Sequence, residues 1–301
     1  MMGMDQLLEG KCVVIAGGGR GIGRAIALEM ARHRASVVVN DYGTELNGTN
    51  PSPAAADEVV SEITRTGGTA ISSFASVADF EDSKSIISTC IDNFGKIDIL
   101  VNCATIARGG QLWETSEEDS DAVMAVTLKG TLNTCTHALP PMMKQRTGRI
   151  INFTSPSWLG VTGADAYTAA KGAIVSLTRG IASRMKLEGL KITCNAIAPI
   201  ARTRLNRPAP GMWDNLLEAG IINRQIYEDS SAPPDPEEIA PIVCYLATDQ
   251  AEYISGKVFG ASRGRIALYT DPEEKKGIYK DGVWTLEELV KLFPKTIGQD
   301  L

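Results

Sequence analysis

Short runs of β-branched and apolar residues alternate along the chain with longer stretches whose apolar positions recur at helical spacing. Cys12–Ala16 precedes a helical pattern over 21–33, Val37–Asn40 precedes one over 52–66, and Thr69–Phe74 precedes one over 80–94. Ile97–Val101 then leads to a long helix over about 117–145, followed by Gly148–Phe153, a helix over 165–188 and Lys191–Ile197. This is the periodicity of a parallel sheet covered on both faces, so the pattern predicts a doubly wound α/β fold.

The alternation lapses between Pro199 and Pro236, where Pro208, Pro210, Pro233 and Pro234 flank an amphipathic stretch around Trp213–Tyr227. So long an excursion at the carboxyl side of a strand is where a substrate lid would sit, here over about 200–235. A helix Pro236–Leu246 and a strand Lys257–Phe259 return the chain to the sheet. The expected organisation is one domain over 8–262 and a C-terminal extension over 263–301, with a helical pattern at Leu286–Phe293 placed to cover a neighbouring subunit or the lid.

Composition narrows the function classes. At 301 residues and 44% hydrophobic content the chain can bury one large core. Its net charge is −6 and its 30 Lys and Arg are scattered, which argues against a nucleic-acid or anionic-membrane surface. The start, Met1-Met2-Gly3-Met4-Asp5-Gln6, lacks the basic region of a signal peptide, and a cytoplasmic location is expected. The 6 cysteines fall singly and read as buried free thiols. With only 2 histidines, His33 and His137, a histidine-based metal site or a Ser-His-Asp triad has little material, and no metal is expected.

Chemistry is concentrated in two motifs. Gly17-Gly18-Gly19-Arg20-Gly21-Ile22-Gly23 directly follows the first predicted strand, where absent side chains let the backbone approach a pyrophosphate at a helix amino terminus. The second strand ends Val39-Asn40-Asp41, from which the Asp41 carboxylate can accept hydrogen bonds from the adenosine ribose; a 2′-phosphate would meet like charge, favouring NAD over NADP. Asp41 also reads as an ordinary strand-end turn former, and Arg20 beside the turn would partly accommodate a phosphate. Asn102 and Ala104 end the fourth strand beside the nicotinamide side of the crevice, and Ser76-Val77 fall near the adenine.

Tyr167 and Lys171 lie four apart on the 165–188 helix and face one volume. A lysine beside a phenol stabilises the phenolate and lowers its pKa, giving an acid/base group that exchanges a proton with an alcohol oxygen while hydride moves to or from nicotinamide. Ser155, after the strand Ile150–Phe153, can hydrogen-bond the same oxygen, and Thr154 can substitute for it. Trp158, Leu159, Met212, Trp213, Leu216 and Leu217 suggest an apolar, bulky secondary alcohol or ketone, although a Trp or Met can equally fill core space. Arg202 and Arg204 could meet a phosphate or CoA moiety, or be solvated or salt-bridged.

These residues resemble the short-chain dehydrogenase/reductase family over about residues 8–262. The resemblance implies a Rossmann-type fold, reaction chemistry carried by Ser155, Tyr167 and Lys171, and NAD bound by the glycine turn. Cofactor contacts are implied for Gly17, Gly19, Arg20, Gly21, Ile22, Gly23, Asp41, Ser76, Val77, Asn102, Ala104, Tyr167, Lys171, Pro199 and Ile200. Val39–Gly43 with the insert to Pro53, the run Ala196–Arg204, and Asp281-Gly282-Val283-Trp284 resemble the branch of multifunctional-enzyme dehydrogenases and bacterial hydroxyacyl-CoA or hydroxysteroid dehydrogenases. A homotetramer, or a homodimer, is implied.

Several positions depart from the family pattern. Ala16 replaces the threonine opening the glycine turn, Asn102-Cys103-Ala104-Thr105 replaces Asn-Asn-Ala-Gly, and Pro199-Ile200 replaces Pro-Gly. Thr127 stands where the asparagine of a proton relay is usual, with a hydroxyl that can still bind the relay water. The leading reading is NAD-linked interconversion of a hydroxysteroid or cyclic alcohol and its ketone, ahead of a 3-hydroxyacyl-CoA substrate. A catalytically silent dinucleotide-binding protein, and a lyase or epimerase that keeps its cofactor, remain open.

Overall fold

The computed structural model describes residues 6–161, 164–205 and 210–300. It divides into two compact units, the first ending at Tyr269 and the second beginning at Thr270. The first contains β1 (Cys12–Ala16), β2 (Ser36–Asn40), β3 (Thr69–Ser73), β4 (Ile99–Asn102), β5 (Thr147–Phe153), β6 (Lys191–Pro199), β7 (Val258–Ser262) and β8 (Arg265–Leu268). They form one sheet in the order β3-β2-β1-β4-β5-β6-β7-β8. Every pairing is parallel except that of β7 with β8. The strand order reverses between β1 and β4, which opens a crevice at their carboxyl ends.

Strand pleating sorts the apolar runs into two cores. Val13 and Ile15 of β1, with Val37, Val39, Ile99 and Val101, pack against α1 (Gly21–Arg32), α2 (Ala54–Arg65) and α9 (Ala240–Ala247). Cys12, Val14 and Ala16, with Val38, Leu100 and Ile150, face the other way onto α3 (Phe80–Phe94), α5 (Gly130–Gln145) and α6 (Asp165–Leu187). The fold is thus the expected Rossmann-type sheet with helices on both faces.

Three details depart from the sequence pattern. The long helix expected over 117–145 is α4 (Glu117–Val123), a π-helical segment Met124–Lys129 and then α5. The lid contains two short helices, α7 (Met212–Glu218) and α8 (Arg224–Ser231). The last parallel strand runs on to Ser262, and β8 turns back beside it with Ile266 and Leu268 exposed, a hairpin too short to show in the periodicity. In the second unit, α10 (Leu286–Leu292) begins with a capping box between Thr285 and Glu288 and buries none of its residues.

A chain of buried polar groups crosses the sheet under the crevice. Thr134 on α5 donates to Asn102 Oδ1 at 2.7 Å, Asn102 Nδ2 donates to Asn152 Oδ1 at 2.9 Å, and Asn152 Nδ2 donates to Thr178 on α6 at 3.0 Å. Asn102 and Asn152 are register partners on β4 and β5, so the link ties both helices to adjacent strands. Asn152→Ala leaves the Asn102 amide and the Thr178 hydroxyl short of partners in a dry layer. It is expected to cost about 2–4 kcal/mol of unfolding free energy in a urea titration.

Candidate active site

The glycine turn is shaped by contact rather than by flexibility. Gly17 has φ +82°, and a Cβ there would lie 2.6 Å from the Ala104 nitrogen; a Cβ on Gly23 would collide with the Gly17 carbonyl. Side chains would therefore push α1 away from β1 and β4 and block the approach that a pyrophosphate needs. Asp41 closes the turn from the side, accepting the Gly19 N–H at 2.9 Å and the Gly43 N–H at 2.7 Å. These bonds orient the carboxylate and leave lone pairs for ribose hydroxyls. Ile22 is half-buried against the α1 side of the core.

Other sequence-selected residues fall around the same crevice. Ser76 donates its N–H to Asp82, whereas Val77 is buried with its carbonyl bound by Ser83 and Asn133. Asn102 is spent on the buried polar chain, and Ala104 faces Gly17. At the end of β6, Pro199 pairs with Ala261 and the Ile200 N–H donates to the Ala261 carbonyl at 3.0 Å. Sequence reasoning passed over a stacked pair beside Asp41: the rings of Tyr42 and Phe74 are 5.0 Å apart and both are partly exposed. Only their positions at the ends of two neighbouring strands could have signalled it.

At the other end of the crevice, α6 carries Tyr167 and Lys171 on one face, with the Lys171 ammonium 5.3 Å from the Tyr167 ring centre. Lys171 is 2% exposed and its Nζ donates to the Phe153 carbonyl at 2.7 Å. Thr154 donates to the Lys171 carbonyl at 2.8 Å, so Thr154 is occupied as a brace and Ser155 is the hydroxyl that faces Tyr167. Burial pushes the Tyr167 phenol up to about 12, against the downward pull of the Ser155 hydrogen bond. Burial also lowers Lys171 to about 8, partly offset by the nearby Cys103 thiol. The phenol is thus raised here rather than lowered as a neighbouring lysine would suggest: desolvation is the largest cause, and the ammonium is turned to a carbonyl.

Thr127 lies in the π-helical segment, fully buried, with its hydroxyl 2.8 Å from that of Thr105. The two departures from the family pattern therefore bond to each other. Cys103, a third departure, rests against the Gly23 backbone between the glycine turn and Lys171, its thiol pushed up to about 12 by burial. Trp158 is not a free lid residue: its ring packs edge-on against Tyr269, 5.5 Å away, in a small core with Val175 and Val258. Met212, Trp213, Leu216 and Leu217 on α7 remain partly exposed. Arg202 is paired with Asp235, and Arg204 donates to the Thr44 carbonyl at 2.8 Å.

The model of the family described as short chain dehydrogenase matches residues 11–210. A crystal structure of a short chain dehydrogenase from Mycobacterium avium is 36% identical, with a TM-score of 0.80, covering 97% of this chain and 96% of that one. A 7α-hydroxysteroid dehydrogenase complexed with NADH and 7-oxo glycochenodeoxycholic acid is 28% identical, with a TM-score of 0.73, over 88% of this chain and 97% of that one. The peroxisomal multifunctional enzyme type 2 of Drosophila melanogaster is 38% identical over 81% of this chain, which spans only 38% of that protein's length.

The buried lysine makes a signed prediction for stability. A lysine whose pKa falls from 10.5 to about 8 on folding is bound by fewer protons in the native state across that interval, so stability rises with pH through it. Tyr167 and the buried thiols, whose pKa values are raised, act in the opposite direction above pH 9. Comparison with Lys171→Met isolates the lysine. Without added cofactor, the wild type should gain about 3 kcal/mol relative to Lys171→Met between pH 8 and 10.5, measured by denaturant unfolding at each pH.

Proposed function

Since the chain belongs to the short-chain dehydrogenase/reductase family and is an NAD(H)-dependent oxidoreductase of secondary alcohols and ketones, we propose that its substrate is a bulky apolar one, a hydroxysteroid or other cyclic alcohol. The observation that carries this reading is the commitment of both lid-side arginines. Arg202 is paired with Asp235 and Arg204 donates to the Thr44 carbonyl, so both guanidinium groups that a CoA phosphate would seek already have partners. The side chains left at the lid, Met212, Trp213, Leu216 and Leu217, are apolar and partly exposed. The related 7α-hydroxysteroid dehydrogenase, solved with a 7-oxo bile acid, supports the same direction.

In this reading Tyr167 is the acid/base group. Its hydroxyl and that of Ser155 face each other, so an alcohol oxygen placed between them is held by Ser155 while Tyr167 takes its proton. Bound NAD supplies the hydride acceptor for the carbon bearing that oxygen. Tyr167 must lose its own proton first, and burial makes this costly. Lys171, less than 6 Å from the ring, offsets the cost electrostatically once its ammonium leaves the Phe153 carbonyl. Cofactor would be held by the Gly17–Gly23 turn and by Asp41, whose geometry suits a pyrophosphate and a ribose bearing free hydroxyls. Thr127 acts through Thr105, steadying the chain after β4 beside the reacting end.

Tyr167→Phe should lower kcat about a thousandfold while NADH binding, followed by fluorescence, is retained. Unchanged turnover would remove the proton role, and a wild type that binds NADH yet never turns over would favour a silent dinucleotide-binding protein. NADH formation from hydroxysteroids or cyclic alcohols, and not from 3-hydroxyacyl-CoA thioesters, is the expected substrate profile. The reverse profile would overturn the apolar-alcohol reading.

A further inference from the structure

The loop between Asp41 and α2 is anchored from three separate parts of the chain. It starts at the end of β2, where the Gly43 N–H donates to Asp41 at 2.7 Å. The Thr44 carbonyl then receives two guanidinium groups, Arg20 from the start of α1 at 3.0 Å and Arg204 from the chain after β6 at 2.8 Å. Two residues on, the Ala107 N–H donates to the Leu46 carbonyl at 3.1 Å, and the Arg108 guanidinium donates to the Asn47 carbonyl. Gly48 packs on Ile106, where a Cβ would lie 3.1 Å from the Ile106 side chain.

Strand order turns these contacts into a position. Residues 106–108 follow β4, and β1 lies between β2 and β4 in the sheet. A loop that leaves β2 and is pinned after β4 must therefore cross the carboxyl end of β1, where the glycine turn begins. Thr203 adds a second cover, its methyl 3.4 Å from where a side chain on Gly21 would start. Two like-charged guanidinium groups converge on one carbonyl, an arrangement that repulsion would disperse if Asp41 and Glu45 did not lie close enough to balance it.

We propose that loop 43–49 is a clamp that retains the dinucleotide, and that Arg204, reaching it from the substrate side, is the positioning residue that holds it shut. Release of cofactor then requires the Arg204 and Arg108 contacts to open. Arg204 comes from the chain after β6, so the clamp is held from a part of the sequence far from the dinucleotide turn. Arg108 ties the same loop toward Glu118 and Asp119 at the start of α4, so the clamp has a fixed side and a lid side.

The test is the NADH dissociation rate, measured by stopped-flow fluorescence on chasing NADH-loaded protein with excess NAD. It needs no substrate, so it stands apart from the question of which alcohol is oxidised. Loss of a charge-assisted hydrogen bond from the clamp should raise the rate about tenfold in R204M and in R108M, without slowing association. R204K, which can donate to the same carbonyl, should recover most of the retention. An unchanged dissociation rate in a folded R204M overturns the proposal, as does an affinity loss carried wholly by slower association. Should R204M fail to fold, R108M decides: faster release supports the clamp and an unchanged rate overturns it.

Discussion

The buried ammonium of Lys171 sets the geometry of the reacting end. A charge with 2% exposure is tolerated only when it is hydrogen-bonded, and its partner is the carbonyl of Phe153, the last residue of β5. The next residue, Thr154, returns a bond to the Lys171 carbonyl. Strand end and helix are thus stitched in both directions, which fixes the rotation of α6 about its axis. Tyr167, one turn earlier on that face, and Ser155, one residue beyond the stitch, have their relative positions determined by it. The same burial that locks this geometry pushes the phenol up and the lysine down from their ordinary values.

The cofactor end depends on a different constraint, the close approach of α1 to the ends of β1 and β4. Gly17 against Ala104 and Gly23 against the Gly17 carbonyl leave no space for side chains. The polar chain Thr134–Asn102–Asn152–Thr178 ties β4 and β5 to each other and to α5 and α6. Above it, Thr105 and Thr127 form a hydroxyl pair between the chain after β4 and the π-helical segment. That segment is a place where an extra residue per turn re-aims side chains, a device often found at working sites. At both positions the chain departs from the family pattern, and the two hydroxyls bond to each other at 2.8 Å.

Much of this was legible in residue order because it rests on local pattern. The apolar runs of β1, β2, β4 and β5 are buried on both faces, so they announce themselves without any knowledge of partners. The Gly17–Gly23 turn and the Tyr167–Lys171 spacing encode backbone shape and helix face directly. What stayed hidden was pairwise and distant. Arg204 and Thr44 are 160 positions apart, and nothing in the run around Arg204 says that its side chain crosses to the other side of the crevice. Trp158 reads equally as a lid or a core residue, and it is its contact with Tyr269, far along the chain, that draws it into a core. A four-residue spacing places Lys171 near Tyr167 but cannot say how deeply the phenol is buried or where the ammonium points.

These long-range choices bear on how one crevice serves two ligands. An arginine left free near the lid would attract an anionic substrate and would also compete for the cofactor's phosphates. Pairing Arg202 with Asp235 and turning Arg204 to a carbonyl lowers the free positive charge at the substrate end. Backbone N–H groups of a glycine turn at the start of a helix can meet a phosphate without a mobile cation. Charged and apolar groups are separated, with Asp41, Arg20 and Arg204 gathered at the loop after β2 and Met212, Trp213, Leu216 and Leu217 on α7. Arg204 belongs by sequence to the chain after β6 but by contact to the loop after β2, so one side chain joins segments 160 positions apart.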